Sequence, residues 1–112
     1  MEAQDYLAHK LFGAALHADP DQGGRLRAEP VPADPLRIVY CPNDFPYNLA
    51  PGIRHDVLWA TQRLDDGRVD EEIRRNIPAS HEYIWYENPP GLKTIPGLWH
   101  VQVMHRPRPD VA

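Results

Sequence analysis

Along residues 2–18, Leu7, Leu11, Phe12, Ala15 and Leu16 fall near one face at roughly four-residue spacing, and Asp5, His9 and Lys10 take the other side. That periodicity predicts one N-terminal helix, with His17 placed to cap carbonyls and Asp19-Pro20 to stop it. Residues 19–35 carry Pro20, Pro30, Pro32, Pro35 and Gly23-Gly24, and read as a Pro/Gly-rich connection. Segments 36–41, 56–61, 82–87 and 98–104 are rich in β-branched and aromatic residues and read as strands. Between the second and third, Asp65-Asp66-Gly67 is a turn, and 69–76 reads as a short charged helix closed by Pro78. The acids Asp65, Asp66, Asp70, Glu71 and Glu72 suit the positive end of its dipole and read as a solvated helix start. The order predicts an α+β fold: a small antiparallel sheet of about four to five strands, an N-terminal helix and a short helix between strands. Residues 1–112 read as a single domain, with the α+β core over 36–105 and a tail over 106–112.

The last strand is the informative one. Side chains alternate across a strand, so Trp99, Val101 and Val103 share an apolar face that belongs to the core, while Leu98, His100, Gln102 and Met104 share the other. An imidazole and a carboxamide then stand side by side, roughly 7 Å apart. That pair suits an attacking histidine, the amide holding an oxygen of the group the ring adds to. The bland alternative is the wet face of an edge strand. The preceding loop offers Asn88, the small Gly91, and Lys93 and Thr94, a cation and a hydroxyl that suit phosphate. The earlier loop places Asn43, Asp44 and Tyr47 among Pro42, Pro46 and Pro51, with His55 just before a strand. Stiff proline loops lower the entropy cost of presenting such groups, although Asn and Asp also cap turns. His9 and His81 read as surface histidines, and Trp59, Trp85 and Trp99 as core.

Composition narrows the classes. With 12 basic and 16 acidic residues the formal charge is −4, which argues against a nucleic-acid binder. No apolar run approaches the ~18 residues of a membrane span, and acids precede Leu7, so neither membrane insertion nor export is expected. Cys41 is the only cysteine, which fits a reducing, cytoplasmic setting and leaves no cysteine-built zinc site. His55, His100 and His105 with Asp44 form a conceivable ligand set for zinc or iron. However, His100 and His105 differ by an odd number, so a regular strand points them to opposite faces. No metal and no cofactor is expected.

Two resemblances follow from these motifs. Pro42-Asn43-Asp44-Phe45-Pro46-Tyr47, Ile53-Arg54-His55, Leu58-Trp59, Trp85-Tyr86-Glu87-Asn88-Pro89, Leu92-Lys93-Thr94-Ile95 and His100-Val101-Gln102-Val103 cover about half the chain in order. They resemble an uncharacterised family that includes the fungal N-acetylglucosamine-induced protein, in which a second His often stands where this chain has Gln102. In addition, Tyr86-Glu87-Asn88-Pro89-Pro90-Gly91 through His100-Val101-Gln102 is similar to the histidine-triad superfamily, above all its hexose-1-phosphate uridylyltransferase and dinucleotide phosphorylase branches. There an Asn-Gly loop precedes His-x-His-x-Gln. That resemblance implies a histidine-triad-like fold, His100 as the nucleophile on an α-phosphate, Gln102 as the group that steadies the nucleotidyl-histidine, and a homodimer. Leu98 stands where the first His of that motif belongs.

The combined expectation is a protein that handles a nucleotide or sugar phosphate by nucleotidyl transfer or phosphoester hydrolysis. The enzyme reading leans to a transferase or hydrolase acting on a phosphate ester. His100, Gln102 and His55 would be catalytic, and Asn43, Asp44, Tyr47, Asn88, Lys93 and Thr94 would bind substrate. The alternatives are a non-catalytic sugar-nucleotide binding module and a His-ligated metalloenzyme.

Overall fold

The computed structural model describes residues 3–43, 50–87 and 98–109. In chain order they form helix α1 (Ala3–Phe12), strand β1 (Leu16–Asp19), a 3-10 turn (Pro20–Gln22), strands β2 (Arg25–Ala28), β3 (Ile38–Pro42) and β4 (Arg54–Ala60), helix α2 (Asp66–Asn76), and strands β5 (His81–Tyr86) and β6 (Trp99–Pro107). Two antiparallel sheets result, a hairpin β1-β2 and a four-stranded sheet in the order β3-β4-β6-β5. The fold is α+β with an N-terminal helix, as the alternation of elements predicts. No helix among the described residues is long and apolar enough to cross a membrane.

The start of the chain departs from the expected helix over 2–18. Gly13 adopts φ +69°, and the N–H groups of Gly13 and Ala14 donate back to the carbonyls of His9 and Ala8 at 3.0 and 3.2 Å, ending α1 six residues early. Leu16 and His17, counted into the helix by their spacing, are instead in β1. His17 Nε2 meets Glu29 Oε1 at 2.7 Å rather than capping helix carbonyls. Nor is the 19–35 stretch wholly a connection, because Leu16–Asp19 pairs with Arg25–Ala28 across the turn that Pro20 and Gly23 shape. Four-residue strands are too short for periodicity to reveal. Beyond them, Gln62 Nε2 donates to the Ala33 carbonyl at 2.6 Å and Arg37 N–H to Thr61 Oγ1 at 2.9 Å, fastening the proline-rich stretch to the end of β4.

The two faces of the large sheet carry separate cores. On one, α2 lays Val69 and Ile73, one turn apart and fully buried, against Leu58, Ala60, Val101 and Val103. Each such aliphatic side chain contributes about 1.5–3 kcal/mol by leaving water. Asp65 starts α2 as its N-cap, accepting the Arg68 N–H at 2.8 Å. Glu72 is buried, not solvated, and pairs with Arg68 and Arg75; Asp70 accepts from Tyr83 Oη at 2.8 Å and Trp85 Nε1 at 3.2 Å. On the other face α1 sets Ala8 and Phe12 against Val57, Trp59 and Leu98. All three tryptophans join these cores, Trp85 and Trp99 only partly buried.

Candidate functional site

Residues paired across an antiparallel ladder share a face, so the register assigns every side chain. Val57 lies opposite Gln102, Trp59 opposite His100 and His55 opposite Met104. These six therefore share the α1 side of the sheet, and the predicted alternation of β6 holds: Val101 and Val103 point to the α2 core, His100 and Gln102 away from it.

On that side three amide and imidazole groups meet. His55 Nε2 lies 2.6 Å from Gln102 Oε1, and Asn43 Nδ2 lies 3.2 Å from the same oxygen. An amide oxygen only accepts, so His55 carries its proton on Nε2 and both groups donate to Gln102. The 3.2 Å approach of Asn43 Nδ2 to His55 Nε2 then brings two donors together around a shared acceptor. Asn43 is further fixed by its own N–H, which donates to the His55 carbonyl at 2.9 Å. With its oxygen held from two sides, the Gln102 carboxamide is locked in one orientation, its NH2 directed away from His55 and Asn43. His55 and Gln102 are both about 6% exposed, so this arrangement is a buried one.

His100, two residues before Gln102 on the same face, stacks on Trp59 with ring centroids 4.5 Å apart and planes 30° from parallel. Burial lowers its affinity for a proton, against a weaker opposing pull from the Glu87 carboxylate. At neutral pH the ring is uncharged and one nitrogen keeps a lone pair. Of the other residues expected at this site, Asp44, Tyr47, Asn88, Lys93 and Thr94 lie outside the described residues.

His105 points to the opposite face from His100, as the parity of their numbers requires, and it builds a second polar cluster there. Its Nε2 is 2.6 Å from Asp56 Oδ2, and the same oxygen accepts the Tyr40 hydroxyl at 2.7 Å. On its far side His105 Nδ1 meets His81 Nδ1 at 2.9 Å. His81 is thus no ordinary surface histidine. The chain Tyr40–Asp56–His105–His81 crosses all four strands through diagonal neighbours of the ladder, Pro42 lying opposite Asp56 and Tyr83 opposite His105. Sequence reading misses it because its members are 16 to 65 positions apart, although the parity of Tyr40, Asp56 and His105 on three paired strands would find it once the register is known. Among the described residues no three His, Cys, Asp or Glu side chains converge as a metal-ligand group.

No family model matches the chain. It is similar to the uncharacterised protein YPL067C of Saccharomyces cerevisiae, at 29% identity over 55% of this chain and 40% of that protein. It is also similar in fold to the crystal structure of HTC1, with a TM-score of 0.52 at 20% identity, covering 97% of this chain and 66% of the other. The chain thus spans less than two thirds of the length of either protein, and at 20% identity the structural likeness is one of fold.

Proposed function

We propose that the α1 side of the sheet handles a nucleotide or sugar phosphate, with His100 as nucleophile and Gln102 as the donor that steadies the phosphate. The observation that carries this reading is the Gln102 carboxamide, clamped through its oxygen by His55 and Asn43 beside an uncharged His100. A donor fixed before the reaction stabilises developing negative charge without having to reorganise. In the proposed step the His100 lone pair forms an N–P bond to the α-phosphorus, the P–O bond to the leaving group breaks, and that oxygen takes up a proton from water. A water or acceptor hydroxyl then displaces the imidazole. His55 and Asn43 act here as positioning residues, through the two bonds that hold the Gln102 oxygen. The similarity of this segment to the histidine-triad superfamily supports the same assignment.

One feature favours a second reading. Leu98 occupies the place of the first histidine of that motif and is packed into the α1 core, so one phosphate contact is replaced by an apolar side chain. A module that binds a sugar nucleotide without turning it over fits that loss. Product analysis with nucleotide sugars and sugar 1-phosphates, alongside calorimetry, separates the two. The enzyme reading expects product from the native chain and none from His100→Ala of unchanged circular dichroism. Binding without product selects the module. Normal turnover by His100→Ala overturns the nucleophile.

A further inference from the structure

The Tyr40–Asp56–His105–His81 chain lies on the opposite face from the proposed phosphate-ester site and plays no part in its chemistry. It borders a cleft of about 360 Å³ lined by Tyr40, Arg54, Asp56, Asn76, His81 and His105 among others. That volume suits a small molecule.

The protons in this chain follow from donor and acceptor chemistry. Burial and the adjoining Asp56 carboxylate push the Tyr40 hydroxyl far above its ordinary range, so it stays protonated and donates to Asp56 Oδ2. The same carboxylate oxygen accepts from His105, which fixes the His105 proton on Nε2. When His105 is uncharged, its Nδ1 is a lone pair, and the 2.9 Å bond to His81 requires His81 to donate from Nδ1. That leaves His81 Nε2 as an unprotonated nitrogen at the outer end of the chain. Asp56 and His105 are buried, His81 is only partly covered, and Arg54, exposed on the same face, lies opposite His105 in the ladder.

We propose that this cleft is a second site, one that binds a phosphomonoester or free phosphate, with Arg54 holding the charged oxygens and His81 Nε2 taking the proton of the P–O–H group. The proton balance closes within the named groups. The phosphate O–H proton moves to His81 Nε2, the His81 Nδ1 proton passes to His105 Nδ1, and the positive charge rests on His105 beside the Asp56 carboxylate. His81 ends neutral in its other tautomer, and the phosphate leaves with one more negative charge to pair with Arg54. The titratable and charged groups facing the relay are Tyr40 and Cys41 from β3, Arg54 and Asp56 from β4, His81 from β5 and His105 from β6. The arrangement draws on every strand of the large sheet, which a merely local capping bond would not need.

The test is long-range proton–nitrogen correlation spectroscopy of the full chain with 15N-labelled histidine near neutral pH, titrated with inorganic phosphate. The expected spectrum shows His105 as the Nε2–H tautomer and His81 as the Nδ1–H tautomer, with the His81 Nε2 resonance moving toward the protonated range as phosphate is added. Arg54→Gln, an exposed substitution that leaves the fold intact, is expected to weaken that response about tenfold, the scale of one charge-assisted hydrogen bond. A His81 already protonated on Nε2 without phosphate, or a phosphate response unchanged in Arg54→Gln, overturns the proposal. So does stoichiometric zinc that displaces the Nδ1–H signal, since the two facing nitrogens would then be metal ligands. The α1-side chemistry is untouched by any of these results, because His100→Ala removes its own resonances and leaves those of His81 and His105 as they are.

Discussion

The two faces of one β4–β6 ladder carry two polar clusters built by the same rule and of opposite character. On the α1 side, His55 and Gln102 are diagonal neighbours that meet through an amide and a neutral ring. On the α2 side, Asp56 and His105 are diagonal neighbours one position along β4 and three along β6, and they meet through a carboxylate. A single step in sequence moves a side chain to the other face, so alternation alone separates an amide–imidazole cluster from one built on a carboxylate. Both interrupt otherwise apolar surfaces, and in both the buried polar groups hydrogen-bond to one another across strands, which favours their being tolerated there.

The largest effect that would sharpen this contrast falls on the α1 side alone. His100→Ala is expected to lower nucleotidyl transfer by about 10⁴-fold or more, the scale of losing a nucleophile, while phosphate binding at the α2-side cleft stays unchanged. Turnover assays and phosphate titration on the same variant check both halves. Gln102→Ala follows, with turnover reduced about 10²–10³-fold, as for loss of one prepositioned donor to developing charge. Smaller is the stability effect on the other face. Asp56→Ala leaves the Tyr40 hydroxyl and the His105 Nε2–H without their acceptor and is expected to cost about 2–6 kcal/mol in denaturant unfolding, at about 1–3 kcal/mol for each stranded group. If Asp56→Ala unfolds no more readily than the native chain, the charged cluster is not the buried network described.

The smallest effect is the pH dependence. Burial depresses the proton affinity of His100 in the folded chain, and that of partly covered His81 moves in the same direction under desolvation, the neighbouring His105 and Arg54. A histidine whose folded affinity is depressed binds its proton more readily when unfolded. Its stabilisation is therefore complete above the unfolded value of about 6.5 and is lost progressively as pH falls below it. Thermal unfolding between about pH 5 and 7.5 should show stability declining on the acid side, and His100→Gln should flatten that decline.

Particular residues show what could be read from the chain. The alternation of β6 put His100 and Gln102 on one side and Val101 and Val103 on the other, because period-two patterning is local and strong there. The parity of His100 and His105 likewise separated them correctly. The hairpin of β1 and β2 escaped, because Leu16 continues a helical spacing that Gly13 has already broken, and the positive φ of Gly13 is invisible in a hydrophobicity pattern. The clamp on Gln102 depends on the β4–β6 register, which no single segment specifies; sequence could nominate His55 and Asn43 but not their common acceptor. His81 was unreadable for the same reason, since its partner lies 24 positions away on the neighbouring strand.

The central claim is that His100 forms a covalent bond to phosphorus. Rapid quenching of the native chain with an α-phosphate-labelled nucleotide sugar, followed by peptide mapping in alkali, tests it most directly. The account predicts label that is stable in alkali, labile in acid and confined to the peptide containing His100. Product formed with no label on that peptide at any quench time would contradict it.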